Sequence, residues 1–240
     1  MLFFWTIALS LAGLIVFPWT YLTKDITFLY RACLWGARTG VRIAGVRVRT
    51  LGLEKLDPAR SYIFMSNHIS NLDPPIMIPL IPRRTSVMVK KELFSYPLLG
   101  SIMRFGGLVP VDRGDREAGI AAVREAIKVI EQGLNMTIYV EGQRSLDGRL
   151  LPFKKGPFYL AEECKVPVVP ITISGTKEVM PKARFAIRPG TVTVQFHDPI
   201  EPAKFGDRDS LMAKVRAAIN SGLPRDLQEN ISQNSAAGSS

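Results

Sequence analysis

The sequence predicts an α/β domain, a central mostly parallel or mixed sheet covered by helices. Three observations carry that expectation. Short runs rich in Val, Ile, Phe and Tyr alternate along the chain with segments of helical periodicity. One of those runs, Tyr62-Ile63-Phe64-Met65, is apolar throughout, as a strand buried on both faces must be. Polar clusters follow directly on three of the runs, at the strand ends where ligands of α/β sheets bind.

The elements read in order as follows. Val46–Leu51 alternates as a strand, and Ser61–Ser66 reads as a buried one. Asp73 before Pro74-Pro75 reads as an N-cap with proline at the first helical position, opening a helix to Leu80. Thr85–Val89 is a short strand. Pro97–Phe105 is helical and closed by Gly106-Gly107, and Leu108–Val111 is a strand. Arg116–Gln132 is the clearest helix: Ile120, Val123, Ile127 and Ile130 share one face, and Gly133 closes it. Met136–Val140 is a strand and Gly156–Glu163 a helix. Val168–Ser174, Arg184–Ile187 and Val192–His197 read as strands, and Asp209–Asn220 as a final helix.

The N-terminus is different in kind. Met1 to Thr23 contains no charged residue, long enough as a helix to reach through roughly 30 Å of hydrocarbon. No lysine or arginine precedes Lys24, so the segment lacks the positive start of a cleaved signal. Lys24, Arg31, Arg38 and Arg42 then share one side of a helix, with Ile26, Tyr30, Cys33, Ala37 and Val41 on another. An amphipathic helix lying on anionic headgroups accounts for both sides; so does a helix packed on the domain with a solvated charged face. The positive-inside bias puts everything after Lys24 on the cytoplasmic side of the cell inner membrane. The expected organisation is membrane-anchoring helices over residues 1–43, the α/β domain over 44–220 and a disordered polar tail over 221–240.

The net charge of +10 favours polyanionic partners: nucleic acid, an anionic lipid surface or phosphorylated substrates. No nucleic-acid-binding motif accompanies the charge, so no nucleic-acid partner is expected. Cys33 and Cys164 lack metal-site or redox spacing, which points to a reducing compartment and no disulfide framework.

The clusters after the strands are Asn67-His68-Ile69-Ser70-Asn71-Leu72-Asp73, Val111-Asp112-Arg113-Gly114-Asp115 and Glu141-Gly142-Gln143-Arg144-Ser145. Together they offer a base, His68, and a carboxylate to orient it, Asp73. They also offer two guanidiniums, Arg113 and Arg144, and a second acid, Glu141. Lys90-Lys91 closes a further strand. Guanidinium and ammonium groups at one site suit a phosphate. Ser66 and Ser145 lie outside any Gly-x-Ser-x-Gly elbow, and His197 reads as structural.

These stretches resemble a known family. NHISNLD, GLVPVDR, YVEGQRS and VPVVPI are similar to the four ordered blocks of the glycerophospholipid acyltransferases, nearest to their bacterial lysophosphatidic acid acyltransferase branch. Order and spacing agree from about Gly45 to Ile173, and LPFKKG resembles the stretch after the third block. The resemblance implies an acyltransferase α/β fold, with His68 the catalytic base and Asp73 its partner. It implies that Arg113, Arg144 and Lys90 serve the acceptor's phosphate, and that Glu141 and Gly142 contact the acceptor. It implies a lysophospholipid acceptor, acyl-CoA or acyl carrier protein (ACP) as donor, and no metal or bound cofactor. Two positions depart from the family pattern in the third block: Val140 stands where proline is usual and Gln143 where threonine is usual. Pro110 is a further departure in the second block.

The reaction expected is acyl transfer from a thioester to the sn-2 hydroxyl of 1-acyl-glycerol 3-phosphate, giving phosphatidic acid, by general-base catalysis. Two alternatives stand beside it. One is the same chemistry on a lyso-ornithine lipid, another lysophospholipid or glycerol 3-phosphate. The other is a non-enzymatic protein that binds anionic lipid.

Overall fold

The computed structural model describes residues 18–23, 25–112, 116–181 and 186–229. Residues 18–23 are helical. The chain then runs α1 (Thr27–Ile43), β1 (Val46–Leu51), β2 (Ile63–Ser66), α2 (Asp73–Met77), β3 (Thr85–Lys90), α3 (Pro97–Phe105), β4 (Val109–Val111) and α4 (Arg116–Glu131). It continues with β5 (Asn135–Tyr139), α5 (Gly156–Cys164), β6 (Val168–Ser174), α6 (Thr176–Val179), β7 (Gly190–Phe196) and α7 (Arg208–Ser221).

The seven strands form one sheet in the order β1-β7-β6-β2-β5-β3-β4. All pairs are parallel except β6 with β7, which is antiparallel, so the sheet is mixed. The central strand β2 shows why both faces must be covered. Successive side chains of a strand point to opposite faces. Ile63 and Met65 join one core with Val123, Ala126, Phe158 and Leu211 from α4, α5 and α7. Phe64 joins the other with Ile76, Met77 and Phe196, and its ring meets Phe196 edge-on at 6.2 Å. All four residues of β2 are buried. At the β6–α6 junction Gly175 has φ +89°, and a Cβ there would lie 2.3 Å from the Thr191 carbonyl oxygen. Only glycine permits that approach.

Helix α1 packs on the domain along one side. Ile26 and Leu29 are buried against Ile102 and Phe105 of α3, and Arg38 donates to the Pro79 carbonyl. Cys33, expected on the packed side, is exposed, because the buried contacts run through Leu29 and Val41. Phe28, Arg31, Trp35 and Arg42 are all exposed on a common side, the two aromatic rings by 55% and 60%. Among the described residues no helix is long and apolar enough to cross a membrane; the apolar run before Pro18 lies outside them.

Two expectations need correction. Ala186 and Ile187 form no strand, and Arg184 lies outside the described residues. Nor is the chain disordered from Ser221. Leu223 is buried in the core beneath α7, and Leu227 packs against it. Glu229 pairs with Arg216, whose guanidinium also donates to the Leu151 carbonyl at 2.9 Å. Arg149 donates to the Asp226 carbonyl at 2.9 Å. Two leucines and these polar contacts hold a segment whose composition is otherwise polar. Residues 230–240 lie outside the described residues.

Candidate active site

Strands β2, β5 and β3 are parallel neighbours, so their carboxyl ends lie along one edge of the sheet. The loop after β2 carries His68, and the loop after β5 carries Glu141, Gly142 and Arg144. Backbone hydrogen bonds join the two loops. Val140 N–H donates to the Ser66 carbonyl at 3.0 Å and Ser145 N–H to the His68 carbonyl at 2.8 Å. Arg144 is therefore one residue from a direct contact with the backbone of His68.

Asp73 organises the first loop. It is wholly buried, and one oxygen, Oδ2, receives three donors. These are His68 Nδ1 at 2.7 Å, Ile69 N–H at 2.7 Å and Ser70 N–H at 2.8 Å. It does not cap α2 as its position before Pro74 predicts. Asp73 is itself the first residue of that helix, Leu72 precedes it without a side-chain cap, and the carboxylate turns back onto the loop. The reason is competition for one acceptor: two backbone N–H groups and a ring N–H converge on it. This carboxylate fixes the tautomer, so that Nδ1 carries the proton and Nε2 keeps its lone pair. No described residue hydrogen-bonds Nε2, and the ring of Tyr139 stacks on the imidazole at 4.1 Å between centroids and 23° between planes. Burial, and then the charge of Asp73, push the Tyr139 phenol well above its ordinary range, so it stays neutral.

Glu141 is turned inward. Its side chain is buried, and Oε1 accepts from the His68 N–H at 3.4 Å. It thereby supports the loop that carries the imidazole. Burial raises its carboxyl from 4.5 to about 7, against the opposing pull of the Leu151 and His68 N–H groups and Arg216 and with a smaller push from Asp73. The folded protein thus holds a proton there that the unfolded chain releases above its ordinary value. Stability falls as pH rises from that value to about 7, by up to about 3 kcal/mol. Glu141→Gln removes the titration. Its melting temperature is expected to exceed that of the natural protein above neutrality by roughly 6–12 °C and to match it in acid below the ordinary carboxyl value. Thermal unfolding across pH checks this; parallel curves for the two proteins would refute it.

The cations are distributed unevenly. Arg144 is half-buried beside the His68 loop. Lys90 ends β3, is exposed, and pairs with Glu92 at 3.1 Å. Arg113 lies outside the described residues. Gly142, at φ +68°, lines a cavity of about 960 Å³ together with Tyr139. The rest of that wall includes Met88, Val111, Ile120, Val123, Ile127 and Ile138, so most of the lining is apolar.

Sequence reasoning missed two residues here. Asn67 is buried, and its carboxamide pairs with both backbone groups of Ile173, at 2.9 and 2.8 Å. It ties the end of β2 to β6. Tyr139 opens the third block but carries no assigned role there; its place in that block is the one available signal. Val140, the departure from the family pattern, is wholly buried in the core, away from the cavity lining, whereas Gln143 is exposed. Ser66 Oγ is engaged by the Asn67 carbonyl and Ser145 Oγ by Asp147. His197 lies against Thr172 at 2.8 Å, and burial lowers its pKa to about 4, so it is a neutral structural residue.

Comparison with known proteins agrees with this geometry. Residues 47–174 match the acyltransferase family model. The chain is 35% identical over 195 residues to a 1-acyl-sn-glycerol-3-phosphate acyltransferase of Limnanthes douglasii, covering 81% of this chain and 68% of that one. It is 32% identical over 167 residues to the human 1-acyl-sn-glycerol-3-phosphate acyltransferase beta, covering 69% and 60%. Among solved structures, the 1-acyl-sn-glycerophosphate (LPA) acyltransferase PlsC of Thermotoga maritima superposes with a TM-score of 0.79, at 28% identity and 92% coverage of both chains. With more than half its length matched and a buried histidine–aspartate pair at the carboxyl edge of its sheet, the chain belongs to the acyltransferase family.

Proposed function

We propose that this acyltransferase moves a fatty acyl group from a coenzyme A or acyl carrier protein thioester to the sn-2 hydroxyl of 1-acyl-glycerol 3-phosphate. The product is phosphatidic acid. The observation that carries the chemistry is the 2.7 Å bond between His68 Nδ1 and Asp73, with Nε2 left without a partner among the described residues. The names of the relatives support the acceptor.

A lipid hydroxyl is a poor nucleophile near neutral pH. Nε2 takes its proton as the oxygen attacks the thioester carbonyl. The imidazolium that forms is stabilised by Asp73 below Nδ1 and by the face of the Tyr139 ring. When the tetrahedral intermediate collapses, the same proton passes to the departing thiolate. The substrate supplies the nucleophile, so no acyl-enzyme forms. Arg144, Arg113 and Lys90 hold the acceptor phosphate, and Glu141 and Gly142 shape the acceptor end of the site. The apolar wall of the 960 Å³ cavity accommodates a fatty chain. The exposed Phe28 and Trp35 among Arg31 and Arg42 suit an anionic bilayer surface, which is where acceptor and product reside. We place the enzyme on the cytoplasmic face of the inner membrane.

The test is a panel of acceptors presented in mixed micelles to the purified full chain. It comprises lysophosphatidate, lysophosphatidylcholine, a lyso-ornithine lipid, glycerol 3-phosphate and monoacylglycerol, each with one acyl-CoA and with the matching acyl-ACP. Lysophosphatidate is expected to give the highest kcat/KM. Preference for any other acceptor would replace this assignment while leaving the chemistry in place.

A further inference from the structure

We propose that Lys154 is a further substrate-contacting residue, an ammonium that binds the acceptor's phosphate from the side of the third-block loop. The inference rests on the reading above that the acceptor carries a phosphate. Four observations lead to it.

First, Lys154 is fastened to the site. Its backbone N–H donates to the Val140 carbonyl at 2.8 Å, between Tyr139, which stacks on His68, and Glu141, which accepts from the His68 N–H. Secondly, its side chain lies alongside Gly142. A Cβ at 142 would stand 3.3 Å from Lys154 Cγ and 3.5 Å from Cε. The φ of +68° explains why the position is glycine, and the lysine stem runs in van der Waals reach of it. Thirdly, Lys154 and Gly142 line the same cavity, at the end of β5 where the loop beside His68 begins. Fourthly, three of the neighbouring charges are engaged elsewhere. Lys155 is 3.9 Å from Asp209, Arg208 is 2.7 Å from Glu162, and Asp112 pairs with Lys91. No carboxylate among the described residues pairs with Lys154. A cation laid along a catalytic loop without a counter-charge suits an anionic ligand, and an ammonium contacts a phosphate oxygen as a point charge.

The experiment compares natural enzyme, Lys154→Met and Lys154→Arg on lysophosphatidate and on monoacylglycerol, which lacks the phosphate. Methionine keeps the length of the stem and removes the charge. Lys154 is exposed, so the fold should persist, and thermal unfolding verifies that. Lys154→Met is expected to raise KM for lysophosphatidate about ten- to a hundredfold, with kcat nearly unchanged and monoacylglycerol transfer unaffected. Lys154→Arg should restore most of the preference for the phosphorylated acceptor. Equal effects on both acceptors, or none on either, would overturn the assignment, as would a rise confined to the KM of acyl-CoA. A natural enzyme indifferent to the phosphate would overturn the acceptor reading itself, and the role of Lys154 with it.

Discussion

His68→Ala is expected to reduce acyl transfer by about a thousandfold or more while leaving the protein folded. The imidazole lies outside both apolar core clusters and, among the described residues, hydrogen-bonds only Asp73, so its removal leaves those cores intact. What disappears is the group that accepts the hydroxyl proton and returns it to the thiolate. Both halves of the reaction lose their proton carrier together, and the loss falls on kcat rather than on KM. Steady-state assays of the purified variant, with binding to anionic vesicles measured in parallel, separate two outcomes. Lost transfer with retained vesicle binding supports the base. Transfer at the natural rate would falsify it.

Removing the partner should damage both activity and stability. Asp73→Ala withdraws the acceptor shared by His68 Nδ1 and the Ile69 and Ser70 N–H groups. Ile69 and Ser70 are buried, and each donor left without an acceptor costs about 1–3 kcal/mol. A stability loss on the order of 3 kcal/mol is expected, read as a fall in melting temperature of roughly 6–12 °C. Asp73→Asn separates the two roles. Its carbonyl oxygen can still accept from the loop, so much of the stability should return. Its neutral amide neither stabilises an imidazolium nor fixes the tautomer, so activity should remain roughly ten-thousandfold down. An asparagine variant that is both stable and active would mean that the aspartate serves only the loop.

The sequence made these two residues legible for a physical reason. A base and its carboxylate five positions apart are joined by a local turn, and local geometry is what a sequence expresses most directly. The strands were readable because buried runs such as Tyr62–Met65 have few other structures open to them. The strand order was not readable, since the insertion of β7 between β1 and β6 depends on contacts between distant segments. Tyr139 over His68 and Asn67 against Ile173 escaped for the same reason: each pair is created by the register between parallel strands. Only the capping role expected of Asp73 fails, because the rule for N-caps weighs the residue alone and not the three donors that compete for it. At residues 222–229 composition outweighed the two leucines that anchor the segment.

That returning segment has a consequence for how the enzyme is held together. Arg216 grips Glu229 with one part of its guanidinium and the Leu151 carbonyl with another, while Asp226 is tied to Arg149. Arg149 and Leu151 belong to the same loop as Arg144 and Lys154. Residues 226–229 therefore act as a brace behind the loop that carries Arg144 and Lys154. A cut made upstream of Glu229 would slacken that loop, many residues away in sequence, with no change to the histidine or its aspartate.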